Sequence, residues 1–130
     1  MRKRRVLLVD DDAGITRSLA MYLEAHGSCD VRVENEGRRA VATAREFRPE
    51  VIFLDIVMPD ADGGTIAADI KADPVLKHTP VVFLTALVSQ HKTRGTQARI
   101  GGHPFLAKPV DPEVILACID TYVASEESGT

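Results

Sequence analysis

Three consecutive aspartates, Asp10, Asp11 and Asp12, close an apolar run in the stretch VLLVDDDAG. Other apolar runs also end in single groups able to do chemistry: Asp55 after residues 51–54, Thr85 after 81–84 and Lys108 after 104–107. Taken singly, each has a plain structural use, since a loop aspartate commonly turns the chain or caps a helix. Taken together they read differently. Carboxylates with an ordinary pKa of ~3.9 are ionised at neutral pH and repel one another unless a cation sits among them. An all-oxygen set favours Mg²⁺, with Mn²⁺ as a surrogate, and no His or Cys cluster adjoins the acids to draw zinc. Such an ion ordinarily works on phosphate, for which Lys108 offers a fixed positive charge and Thr85 a hydrogen-bond donor. A carboxylate facing that arrangement can itself be the nucleophile and become an aspartyl phosphate.

This chemistry requires elements that bring the four run ends together. Short runs of Val, Leu, Ile and Phe predict strands at residues 5–9, 30–34, 51–54, 81–85 and 104–107. Helical spacing fills the gaps: Ile15, Leu19, Tyr22 and Leu23; residues 37–47; a helix beginning near Gly64; a polar helix around 90–99; and Val114, Ile115, Cys118, Ile119 and Tyr122. Gly27, Pro49, Pro74, Pro80, Gly101, Gly102 and Pro109 fall at the joints. The third and fourth strands are apolar without alternation, as strands buried on both faces are. Five strands alternating with five helices predict an α/β domain with a doubly wound parallel sheet, most simply in the flavodoxin-like order 2-1-3-4-5. That order sets strands 1 and 3 side by side at the switch point, where such folds bind ligands beyond the carboxyl ends of the strands. Asp10, Asp11, Asp55, Thr85 and Lys108 then share one rim.

Composition narrows the function further. The chain has 130 residues, 45% hydrophobic and 27% charged, which suits one globular domain with a core that needs no disulfide or structural metal. Residues 1–124 are expected to form it, with 125–130 a flexible tail. A net charge of -3 gives no electrostatic footprint for direct nucleic-acid binding, and the basic start at residues 2–5 reads as a solvated chain end. Too few apolar residues follow it for a signal peptide, which needs roughly 7–15. The apolar stretch 81–88 falls far short of the ~20 residues that span a bilayer, so no membrane role is expected. Cys29 and Cys118 lack metal or redox spacing, which fits a reducing cytoplasm.

The pieces VDDD, LDIVMPDADG, LTA and FLAKP resemble, in order and spacing over nearly the whole chain, the receiver domain of bacterial response regulators, of the single-domain chemotaxis type. The resemblance implies the receiver fold and a phosphorylation switch in two-component signalling rather than a conventional enzyme. Asp55 matches the phosphoacceptor, served by a sensor histidine kinase or a histidine phosphotransfer protein. Asp10, Asp11, Asp55 and the backbone carbonyl of Val57 match the Mg²⁺ ligands, Asp10 acting through water. Thr85 and Lys108 match the switch hydroxyl and the phosphate-contacting lysine, and Phe105 the aromatic whose rotamer follows the hydroxyl. Output passes to a protein partner on the face made by the fourth helix, fifth strand and fifth helix. The alternative is a degenerate receiver serving only as a docking scaffold.

Other residues take quieter roles. Asp12 precedes the first helix and is assigned to its N-cap. Lys108-Pro109 resembles the family's cis peptide. His26, His78, His91 and His103 are scattered and read as surface or turn residues. Gly64 departs from the bulky apolar residue usual after the DG pair, which leaves the start of the third helix open. Val57 and Leu87 lie two residues beyond Asp55 and Thr85, positions that in the family flank the entry of hydrolytic water, so apolar side chains there are expected to lengthen the phosphorylated lifetime.

Overall fold

A computed structural model describes residues 3–86 and 99–128. Its elements follow the expected alternation: β1 (Arg4–Val9), α1 (Ala13–His26), β2 (Cys29–Glu34), a 3-10 turn (Gly37–Arg39) running into α2 (Ala40–Phe47), and β3 (Val51–Asp55). A small hairpin of β4 (Val57–Met58) and β5 (Ala61–Asp62) leads into α3 (Gly63–Ala72). Then come β6 (Val81–Thr85), β7 (Arg99–Ile100), β8 (His103–Ala107) and α4 (Pro112–Ser128).

The main sheet runs β2-β1-β3-β6-β8 with every pair parallel, which is the order 2-1-3-4-5 of the five expected strands. One short strand is added. β7 pairs antiparallel with β8 through Ile100 and His103, and the two residues between them, Gly101 and Gly102, have φ of +58° and +85°. Two successive positive φ values are what a tight two-residue hairpin demands, and glycine adopts them without steric cost. Arg99, expected to end a helix, therefore opens a strand; the rest of that helix falls outside the described residues. Four α-helices lie among the described residues, and α4 continues to Ser128, into the stretch expected as a tail.

Alternation along the strands divides the core. Leu7, Val9, Ile52, Leu54, Val81 and Phe83 pack with Ile66, Ile70, Ala40 and Ala44 of α2 and α3. Val6, Leu8, Val51, Phe53, Val82 and Leu84 pack with Leu19, Leu23, Ile115 and Ile119 of α1 and α4. Every residue of β3 and β6 is buried. At ~1.5–3 kcal/mol for each large apolar side chain buried, these two layers are the main favourable term in folding, and they hold the strand ends rigid. Asp12 caps α1, its Oδ1 accepting from the Ile15 amide at 3.1 Å, and Asp62 caps α3, accepting from the Thr65 amide at 3.3 Å. With that cap in place α3 starts at Gly63, and Gly64 lies on its exposed surface.

Two expectations for basic and imidazole groups change. Arg4 and Arg5 are not solvated ends: the Arg4 guanidinium pairs with Asp120 and donates to the Gly27 carbonyl, and Arg5 Nε donates to the Arg48 carbonyl at 2.8 Å. They fasten the amino end of the sheet to its helices. His26 and His78 are exposed, but His103 is half-buried, its ring edge-on to Phe83 with centroids 5.4 Å apart; His91 lies outside the described residues. Cys29 is buried and Cys118 half-buried, both free. Burial raises both thiols, Cys118 to about 11, so they stay protonated and inert.

Candidate functional site

Parallel strands put all their carboxyl ends on one rim, and the register decides which side chains meet there. Val9 aligns with Leu54, Asp55 with Leu84, and Thr85 with Ala107. Asp10 thus follows β1 beside the end of β3, and Lys108 leaves β8 next to Thr85, its amide donating to the Thr85 carbonyl at 2.8 Å. Lys108 Nζ lies 2.8 Å from Asp10 Oδ2 and 3.4 Å from Asp55 Oδ2, bridging the two acids. Asp10, Asp11 and Asp55 each offer a carboxylate oxygen within 4.8 Å of the others.

The two inner acids are well sealed. Asp10 is 1% exposed and Asp55 5%, while Asp11 faces solvent. Asp10 Oδ1 accepts from the Asp12 amide at 3.0 Å, and Asp55 Oδ1 from the Val57 amide at 3.3 Å. Asp10 Oδ2 is buried against the Lys108 ammonium, 2.8 Å away. Burial, and next the charge of Asp10, push the Asp55 carboxyl up to about 6 against the opposing pull of Lys108 and the Val57 amide. For Lys108, burial acts to lower the pKa, but the hydrogen bond and charge of Asp10, joined by Asp55, outweigh it and the net direction is upward. One ammonium against three carboxylates leaves the rim two charges short of neutral. Three carboxylates converging within 4.8 Å and sharing a single ammonium are a set of hard oxygen donors that a small divalent cation fits.

The remaining expected residues lie close by. Thr85 is buried at the end of β6, and Phe105 is half-buried opposite Phe83, packed on the layer that α2 and α3 cover. Val57 is 60% exposed at the mouth of the site; Leu87 falls outside the described residues. The Lys108–Pro109 peptide is cis. Beside Lys108 an open hollow of about 460 Å³ is lined by Ile15, Ser18, Leu19, Leu84 and Val110.

Two residues with a part in the site carried no weight in the sequence. A Cβ on Gly63 would stand 2.5 Å from the Asp55 carbonyl oxygen and 2.6 Å from Ile56 Cα, so the glycine lets α3 start against the strand that carries Asp55. The DG pair is the signal that could have found it. Asn35 donates from Nδ2 to the Asp10 carbonyl at 2.7 Å and to Thr16 Oγ1 at 3.0 Å. No spacing rule links it to Asp10 across that separation.

Comparison with known proteins gives a consistent picture. A family model described as response regulator receiver domain matches residues 6–120. PilH of Pseudomonas aeruginosa is 34% identical over 120 residues, covering 92% of this chain and 98% of PilH. PleD of Caulobacter vibrioides, a response regulator, is 36% identical over 114 residues, but the chain spans only 24% of PleD. Among solved structures, the chemotaxis protein CheY4 of Vibrio cholerae has a TM-score of 0.76 at 28% identity, covering 92% of this chain and 98% of that one.

Proposed function

Because the chain belongs to the response regulator receiver domain family, a signalling module rather than a conventional enzyme, we propose that it is a phosphorylation switch whose phosphoacceptor is Asp55. The observation that carries this reading is the Lys108 ammonium placed between Asp10 and Asp55, with Asp11 completing a three-carboxylate cluster. The donor is a phosphohistidine of a sensor histidine kinase or histidine phosphotransfer protein. An Asp55 oxygen attacks phosphorus; the P–N bond breaks and its electron pair returns to the imidazole, which leaves neutral because its other ring nitrogen keeps a proton. With its pKa held near 6, Asp55 is mostly ionised at neutral pH and ready to attack. Lys108 supplies positive charge to the phosphoryl oxygens as negative charge gathers on them.

Mg²⁺, held by Asp11 and Asp55 with Asp10 behind them and the Val57 carbonyl as a further ligand, would neutralise the remaining negative charge when bound. The hollow beside Lys108 offers apolar lips for the donor protein. Thr85 then turns to the phosphoryl group and Phe105 inward, biasing two arrangements of the output face. Of that face, β8 and α4 lie among the described residues and residues 90–98 lie outside them. The partner read by this face is a protein.

The test is incubation with Mg²⁺ and a small acyl phosphate, read by intact mass. One added phosphoryl group is expected, lost with excess EDTA and lost in Asp55→Asn. No adduct in the wild type leaves only the docking-scaffold reading; an adduct that survives Asp55→Asn moves the acceptor elsewhere.

A further inference from the structure

Asn35 stands one residue beyond β2 and reaches across to the loop that carries the acids. Its Nδ2 has two protons and spends both, one on the Asp10 carbonyl at 2.7 Å and one on Thr16 Oγ1 at 3.0 Å. The orientation of the amide is settled by its neighbours, since a carbonyl oxygen can only accept. Thr16, itself buried, gives its own proton to the Asp12 or Ala13 carbonyl, at 3.3 and 3.2 Å, and so has a lone pair left for Asn35. One side chain thereby joins the ends of β2 and β1 to the first turn of α1.

The bond to the Asp10 carbonyl matters because that oxygen belongs to the peptide linking Asp10 to Asp11. The other side of Asp10 is fixed too, its amide donating to the Glu34 carbonyl at 3.2 Å. The Asp10 carboxylate is held directly, by the Asp12 amide and by Lys108. The Asp11 carboxylate has no such support: among the described residues it accepts no hydrogen bond and forms no ion pair, yet it reaches the cluster. Its direction therefore depends on the plane of the peptide before it, and Asn35 sets that plane.

We infer that Asn35 is a positioning residue of the metal site, clamping the Asp10–Asp11 peptide so that the two carboxylates converge on one cation. The inference rests on the reading of Asp10, Asp11 and Asp55 as a Mg²⁺ site. Its test is calorimetric titration of Mg²⁺ into metal-stripped wild type, Asn35→Ala and Asp11→Asn, with denaturant unfolding of each in the absence of metal.

Removing an outer-shell partner of a metal site typically weakens binding ~10–100-fold. Because Asn35 acts on the backbone rather than on a ligand atom, Asn35→Ala is expected at the low end, about tenfold weaker. A merely structural role would lower stability and leave the Mg²⁺ affinity unchanged. Should the alanine variant not fold, Asn35→Leu carries the same test, keeping the branched shape of the side chain while replacing the whole amide, donors and acceptor, with methyl groups. If Asp11→Asn loses Mg²⁺ while Asn35→Ala and Asn35→Leu bind it like wild type, the positioning role is overturned and the site reading stands. If wild type and Asp11→Asn titrate alike, the metal site itself is wrong and the role of Asn35 falls with it.

Discussion

Replacing the proposed phosphoacceptor should make the metal-free protein more stable at neutral pH. Asp55 is almost wholly buried, beside Asp10, and its carboxyl is raised from 3.8 to about 6. For an acid whose folded pKa is raised, ionisation costs the folded state. The penalty is absent below the unfolded pKa, grows as pH rises between 3.8 and about 6, and is complete above that. At ~1.36 kcal/mol per unit the rise amounts to about 3 kcal/mol. That rise is already net of the attraction to Lys108, which keeps Asp10 as partner in the variant; a buried asparagine amide carries a desolvation cost of its own, so the gain expected for Asp55→Asn is ~1–3 kcal/mol. The assay is urea unfolding in EDTA at about pH 7.5 and again near pH 4. The gain should be present at the higher pH and nearly gone at the lower, where both chains carry a neutral group. Adding Mg²⁺ should stabilise the wild type alone and so narrow the gap. A variant less stable than wild type at neutral pH, or equally more stable at both pH values, would refute the reasoning.

Other substitutions probe the frame and the neighbours of the site. Gly63→Ala drives a Cβ into the Asp55 carbonyl and the Ile56 backbone; a loss of ~2 kcal/mol or more in denaturant unfolding and slower phosphorylation are expected. Asp11→Asn should abolish Mg²⁺-dependent phosphorylation, whereas Asp12→Asn, which keeps an N-cap oxygen, should leave it near wild type, with Asp12→Ala costing about 1 kcal/mol of stability. Val57, exposed at the mouth of the site, is expected to shield the phosphoryl group from water; Val57→Asn should shorten the phosphorylated lifetime, followed by intact mass after donor removal, and an unchanged rate would discount the shielding.

The buried strands were legible because both faces of β3 and β6 are covered, which leaves an apolar run with no alternation to confuse. The order of strands came from topology rules rather than from any residue, and the rim followed from the order. Asp12 could be separated from Asp10 and Asp11 because a helix start has its own chemistry. What escaped were short or long-range features. β7 is only two residues long and exists because Gly101 and Gly102 both take positive φ, which a glycine pair permits but does not announce. Arg4 and Arg5 looked like a solvated end because their partners, Asp120 and the Gly27 and Arg48 carbonyls, are distant in sequence. Asn35 was hidden for the same reason: its use is a hydrogen bond to a backbone atom across the sheet end, and side-chain type alone says nothing of that.

If the chain is a phosphorylation switch, a single carboxylate of the rim carries the phosphoryl group. Phosphorylating the protein with Mg²⁺ and an acyl phosphate, reducing the acyl phosphate with borohydride and mapping peptides by mass tests it most directly. Asp55 alone is expected to be converted to homoserine, with Asp10, Asp11 and Asp12 unaltered. Conversion at any of those three, or at none of the four, would contradict it.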